Sequence, residues 1–147
     1  QLNLKSKALH TAVLYVDELV NLTIKNTGIT DLEFKFGQLL SNIHIENTPT
    51  SNFTENLVTS LDSLILINNN LSLFQKNNLA GVDTLTIINS PNLKYVELDN
   101  LYQLKKLRLE GLPVPDFKSG ASLDNVTELY LKNNLIKIID TSKMVKL

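Results

Sequence analysis

Apolar residues return along this chain in one short figure. It is clearest in Leu61-Asp62-Ser63-Leu64-Ile65-Leu66-Ile67-Asn68-Asn69-Asn70-Leu71, where leucines at the first, fourth, sixth and eleventh places enclose polar residues and an asparagine at the ninth. A second copy opens at Val126 and places Leu129, Leu131, Asn134 and Ile136 in the same slots. Weaker copies run through Leu19, Leu22, Ile24, Thr27 and Ile29, then Leu40, Ile43, Ile45 and Thr48. Others use Val82, Leu85, Ile87 and Ser90, then Leu104, Leu107, Leu109, Leu112 and Val114. The second apolar slot therefore falls at 22, 43, 64, 85, 107 and 129, with spacings of 21, 21, 21, 22 and 22. Chance clustering does not hold such a register over more than a hundred residues.

Within each unit, two apolar residues separated by one polar residue have the period of a strand with one buried side. The pattern predicts at least six short parallel strands, centred near residues 23, 44, 65, 86, 108 and 130. A single unit cannot bury its own apolar edge, and stacking on the next unit supplies the missing partner. The ninth slot holds Thr27, Thr48, Asn69, Ser90, Leu112 and Asn134. Five of these are hydrogen-bonding side chains, suited to satisfying backbone groups at a buried turn. The preceding slot holds Asn26, Asn47, Asn68, Asn89, Gly111 and Asn133, residues that tolerate left-handed backbone. Gly111-Leu112-Pro113-Val114-Pro115 breaks the polar ladder and predicts an irregular return.

On these residues the chain resembles the leucine-rich-repeat family, most closely its extracellular receptor-type members, over roughly Leu19 to Ile139. The resemblance implies an α/β-class solenoid. In it, a curved parallel sheet lines the concave side, extended or 3₁₀ returns form the convex side, and regular helix is scarce. Residues 1–147 then form one solenoid segment of about six repeats, clear over 19–139, with a degenerate repeat in 2–18 (Leu2, Leu4, Leu9). Leu79-Ala80-Gly81-Val82 and Leu101-Tyr102-Gln103-Leu104 resemble the apolar lead-in to the next strand in such proteins. No polar capping unit is visible and Leu147 stands where a further unit would open, so a piece of a longer receptor-like protein, or a piece packed on a partner, is expected.

Composition narrows the function further. The 147 residues carry 14 basic and 15 acidic side chains, which leaves no bulk field for nucleic acid or an anionic membrane. No apolar run is long enough to cross a bilayer, so direct membrane insertion is not expected. Cysteine is absent, which excludes disulfides, cysteine-ligated zinc and a thiol nucleophile. His10 and His44 are the only histidines, far apart in sequence and without metal-ligand spacing, and His44 reads as a surface residue. The sequence holds no phosphate-binding loop and no nucleophile elbow, and its carboxylates do not pair in the repeat register. No enzyme activity, metal or cofactor is expected. The rival is a polysaccharide-cleaving parallel β-helix, disfavoured because one strand per repeat and an asparagine-type turn dominate.

Binding is expected on the outward side chains flanking each buried pair. They form three columns: Asn21, Asn42, Ser63, Thr84, Lys106, Glu128; Thr23, His44, Ile65, Thr86, Arg108, Tyr130; and Lys25, Glu46, Ile67, Ile88, Glu110, Lys132. Neighbours in a column touch, so Lys25–Glu46, Lys106–Glu128, Glu110–Lys132 and Arg108–Tyr130 are expected pairs. Ile65, Ile67 and Ile88 form an apolar patch on an otherwise polar face, and with Arg108 and Tyr130 they are the candidate partner-binding residues. Candidate N-glycosylation acceptors are Asn21, Asn52, Asn70 and Asn125, about as many as the composition yields by chance. The expected function is a non-catalytic module binding a protein ligand on the concave face, extracellular or cell-surface, of the receptor-like or innate-immune type. The alternatives are an assembly component, homo- or hetero-oligomeric through uncapped ends, and an intracellular regulatory subunit in the cytoplasm.

Overall fold

A computed structural model describes the chain except for residues 36–38, 54–60, 75–80, 97, 99–100 and 119–122. Along the sequence the described strands are β1 (Leu2–Leu4), β2 (Thr11–Tyr15), β3 (Asn21–Lys25), β4 (Asp31–Lys35), β5 (Asn42–Thr48), β6 (Asn52–Phe53), β7 (Ser63–Asn69), β8 (Leu73–Phe74), β9 (Thr84–Ile88), β10 (Tyr95–Val96), β11 (Lys106–Glu110), β12 (Asp116–Lys118), β13 (Glu128–Lys132) and β14 (Ile138–Asp140). The odd-numbered strands make one seven-stranded sheet in sequence order, and each pairing in it is parallel. Its register is the repeat itself: Leu22 lies beside Ile43, Ile43 beside Leu64, Leu64 beside Leu85, Leu85 beside Leu107, and Leu107 beside Leu129. β1 joins the same lattice, with Leu2 beside Leu22 and Leu4 beside Ile24.

The fold is a parallel β-solenoid, and among the described residues it contains no helix. The α/β class expected above gives way to an all-β one. The even-numbered strands also pair in parallel, as β2-β4-β6, β8-β10 and β12-β14, so each repeat carries two strands rather than one. The reason is local. Leu32 and Phe34 alternate with Glu33, a period of two that suits a strand and not a helical turn. Leu79 and Ala80 of one expected lead-in fall outside the described residues, whereas Val82, Leu101 and Leu104 are buried.

The core is the row of inward pairs. Leu22, Ile24, Ile43, Ile45, Leu64, Leu66, Leu85, Ile87, Leu107 and Leu109 are each at most 1% exposed. Burying each such side chain contributes about 1.5–3 kcal/mol, which stacking alone makes available. Leu129 and Leu131 of β13 occupy the same slots yet are only half-buried, because β13 is the sheet edge.

Two polar ladders turn the chain off the sheet. Asn26, Asn47, Asn68, Asn89 and Asn133 all have φ between 51° and 54°, and Gly111 takes 63° in the same slot. Asparagine is the side chain that best tolerates this region after glycine. Their amides also bond laterally, Asn47 donating to Asn26 (3.1 Å), Asn68 to Asn47 (2.6 Å) and Asn89 to Asn68 (3.0 Å). The ladder stops at Gly111, where an added Cβ would collide with Asn89 Oδ1.

One residue further on, Thr27, Thr48, Asn69, Ser90 and Leu112 are buried. Thr27 donates to Thr48 (3.2 Å), and Thr48 donates to Glu46 O (3.1 Å). Asn69 bonds backbone as expected. With its amide turned end for end, Nδ2 donates to Thr48 O and Oδ1 accepts from Ile67 N, both at 2.9 Å, in place of one 3.3 Å bond to Ile45 O. The two-bond arrangement satisfies more of the buried groups. Leu112 makes no such side-chain bond. Instead Asn134 reaches back, donating to Leu109 O (2.9 Å) and accepting from Leu112 N (3.0 Å).

Candidate functional site: the outer face of the seven-stranded sheet

Alternation along each front strand sends the residues between the core leucines outward, and parallel register stacks them in rows. One row reads His44, Ile65, Thr86, Arg108, Tyr130; the next reads Glu46, Ile67, Ile88, Glu110, Lys132. Ile67 and Ile88 are therefore direct neighbours, and Ile65 stands two residues before Ile67 on the same face. All three are half-buried, flanked by strands on both sides.

Charged clusters border this apolar centre. On one side Lys25 meets Glu46 at 2.8 Å, and His44 Nε2 lies 3.1 Å from the same carboxylate. The Lys25 ammonium holds the Glu46 carboxyl below its ordinary range. Burial pushes the His44 imidazole below its ordinary 6.5, and the Lys25 charge adds to this against the opposing pull of Glu46. On the other side Arg108 Nη2 contacts Glu110 at 2.7 Å, and Lys132 approaches Glu110 at 3.5 Å. Glu110 is lowered and Arg108 raised by their shared hydrogen bond. Lys106 meets Glu128 at 2.7 Å. The Arg108 guanidinium carbon lies 4.7 Å from the Tyr130 ring centre, a cation–π contact. Every lateral pair read from the columns is present.

The five candidate partner-binding residues fall into two groups. Ile65, Ile67 and Ile88 form the apolar centre. Arg108 and Tyr130 are separated from Ile65 by Thr86, and they line a cleft of about 630 Å³ with Thr84, Lys106, Thr127 and Leu147. The repeat reading missed this cleft, because one of its walls is Leu147, beyond the last clear unit. It also missed a shallower groove of about 370 Å³ along the asparagine corner, between Asn47, Asn68, Asn89, Pro49 and Pro91. Positions of the corner asparagines were legible, but the groove depends on the prolines that follow them.

Of the sequon asparagines, Asn21 is exposed on the sheet face and accepts from Asn42 Nδ2 (2.9 Å). Asn70 is exposed past β7 and accepts from Asn92. Asn125 is half-buried, donating to Tyr102 O and accepting from Lys146 Nζ, both at 2.7 Å. Asn52 lies in β6, and its side chain is outside what the structure describes. His10 sits by Gly28 O (3.2 Å). Among the described residues no three His, Cys, Asp or Glu side chains converge to hold a metal ion, and no helix is long and apolar enough to cross a membrane.

Compared with known protein families, curated proteins and solved structures, the chain gives no match.

Proposed function

We propose that the chain is a non-catalytic binding module of leucine-rich-repeat type that engages a protein partner on the outer face of its seven-stranded sheet. The observation that carries this reading is the contiguous Ile65–Ile67–Ile88 centre between two ion-pair clusters. An apolar centre with a polar rim containing Tyr and Arg describes productive protein interfaces. The leucine-rich-repeat assignment rests on the residue figure and on asparagine at the turn. The two strands per repeat are shared with β-helices and do not argue for either.

The test is binding by the Ile65→Asp, Ile67→Asp double variant to a partner recovered by cross-linking from the native source. A Val13→Asp control alters β2, on the other side of the repeat. Binding by the double variant is expected to fall at least tenfold, with the control unchanged and both proteins folded. Full binding by the folded double variant would move the contact surface elsewhere. An extracellular, receptor-like or immune setting is proposed on the family resemblance, with the cytoplasm as the rival. Mass spectrometry of native protein for glycans on Asn21, Asn52, Asn70 or Asn125 separates the two.

The second reading is an assembly component, in which the same Ile65, Ile67 and Ile88 patch is a permanent subunit contact. Oligomer size against concentration separates it from a monomeric receptor module.

A further inference from the structure

The row of outward side chains through Ile67 and Ile88 reads the same from both ends. Register places Lys25 beside Glu46, Glu46 beside Ile67, Ile67 beside Ile88, Ile88 beside Glu110 and Glu110 beside Lys132. Cation, carboxylate and isoleucine follow one another inward from either side. At about 4.8 Å per strand, the six positions span about 24 Å.

The two signs of charge are not equally available on this face. Glu46 has the Lys25 ammonium at 2.8 Å, Glu128 has Lys106 at 2.7 Å, and Glu110 has Arg108 at 2.7 Å with Lys132 at 3.5 Å. Each carboxylate is already answered by a cation, and Glu110 by two. Glu110 is also the covered member of its cluster, its side chain 15% exposed against 47% for Arg108 and 54% for Lys132. Arg108 has five N–H donors, and among the described residues it makes one hydrogen bond, to Glu110. A carboxylate arriving beside Ile88 finds the remaining donors of Arg108 and the ammonium of Lys132. A cation arriving there has to displace one already in place.

The same symmetry argues against a second copy of the chain as the occupant. Consider two such sheets packed face to face with their strands aligned, and a two-fold that centres Ile67 and Ile88 on their counterparts. Lys25 then meets the other copy's Lys132, or its Lys25. Glu46 likewise meets Glu110 or Glu46. Like charges brought together across an interface suppress that pairing.

We infer that the occupant of the partner face proposed above, on which this inference rests, is a segment of a different protein in which adjacent aliphatic side chains are bracketed by carboxylates. The aliphatic side chains cover Ile65, Ile67 and Ile88. One carboxylate is bound by Arg108 and Lys132, and the other by Lys25. The bracketing acids stand about 20 Å apart, which is roughly 13 residues of a helix. Apolar burial supplies the affinity, and the charges exclude basic segments and the chain itself.

The experiment pans a displayed library of random peptides, each about 20 residues and so long enough to cross the face as a helix, on the 147-residue chain. Recovered peptides are then tested on the folded Ile65→Asp, Ile67→Asp variant, and those it fails to bind are sequenced. These are expected to combine Leu, Ile or Val with at least two Asp or Glu and to be net acidic. A synthetic copy of the strongest is expected to bind at least tenfold more weakly at about 0.5 M salt than at about 0.05 M. Arg108→Gln and Lys25→Gln, each checked for folding by its melting temperature, are each expected to weaken binding roughly threefold or more. Changing the peptide's acids to lysines is expected to abolish binding to the parent and to restore it to an Arg108→Glu, Lys25→Glu variant. A basic or uncharged set that the aspartate variant rejects keeps the partner face and overturns the acidic occupant. So does an acidic set whose affinity ignores salt and both glutamine variants. Peptides that the aspartate variant binds as well as the parent does, or none recovered on the parent, remove the partner face and this inference with it.

Discussion

Asn68 carries two demands at once. Its backbone sits at φ 53°, and its amide donates to Asn47 while accepting from Asn89. Alanine meets neither demand and glycine meets the first. Asn68→Ala is therefore expected to cost about 1–2 kcal/mol in urea unfolding, and Asn68→Gly clearly less. Equal losses would show that the lateral bonds, rather than the backbone, carry the effect. Ser90 poses the opposite case. It is fully buried, and its Oγ has no hydrogen-bond partner among the described residues, where Leu112 in the next turn offers none. Removing an unpaired buried hydroxyl sacrifices no bond, so Ser90→Ala is expected to leave the melting temperature unchanged or raise it. A loss above about 1 kcal/mol would mean that the hydroxyl is satisfied after all. Both residues were legible in sequence as ladder positions. The missing partner of Ser90 was not, because it depends on how the Gly111–Pro115 return places its neighbours.

At the scale of the strand, the front sheet could be read almost completely, and the back strands could not. An apolar residue stands ten places after the second core slot in most repeats: Leu32, Phe53, Phe74, Phe117 and Ile139, with Val96 at eleven. That second period was present in the sequence. It was hidden because back strands such as β6, β8 and β10 are two residues long, too short for alternation to show. The face residues were legible as rows for the same reason as the core, since parallel register repeats every outward side chain. Their depth was not, because exposure depends on the height of neighbours, and the isoleucines prove half-buried. The β3–β5 cluster gives this scale its prediction. Both His44 and Glu46 are lowered in the fold, so each contributes stability that is complete above its ordinary value, 6.5 and 4.5. That stability is lost as pH falls through the lowered value. Stability in urea is expected to decline on acidification below about pH 6.5, and His44→Gln to flatten the upper part of that decline. A parent curve that rises between pH 6.5 and 5 would contradict the direction.

Across the whole molecule, stability is a sum along the stack, because each turn packs on its neighbours alone. The middle and the last turn should therefore differ sharply. Leu85 is 1% exposed between two flanking strands, whereas Leu131 is half-buried at the edge and β14 is exposed throughout. Truncating a fully enclosed leucine costs about 2–5 kcal/mol, the transfer term plus a cavity that neighbours on both sides keep open. The same truncation at a half-covered edge loses less area and leaves no closed cavity. Leu85→Ala is thus expected to cost at least twice as much as Leu131→Ala in denaturant unfolding. Amide exchange gives an independent reading on the unmutated chain. Dilute protein should exchange fastest in β13 and β14 and slowest in β5 and β7, since opening an end turn breaks one interface and opening a middle turn breaks two. Uniform exchange along the chain at low concentration would mean that the solenoid opens as one unit, and the turn-by-turn account would have to be given up.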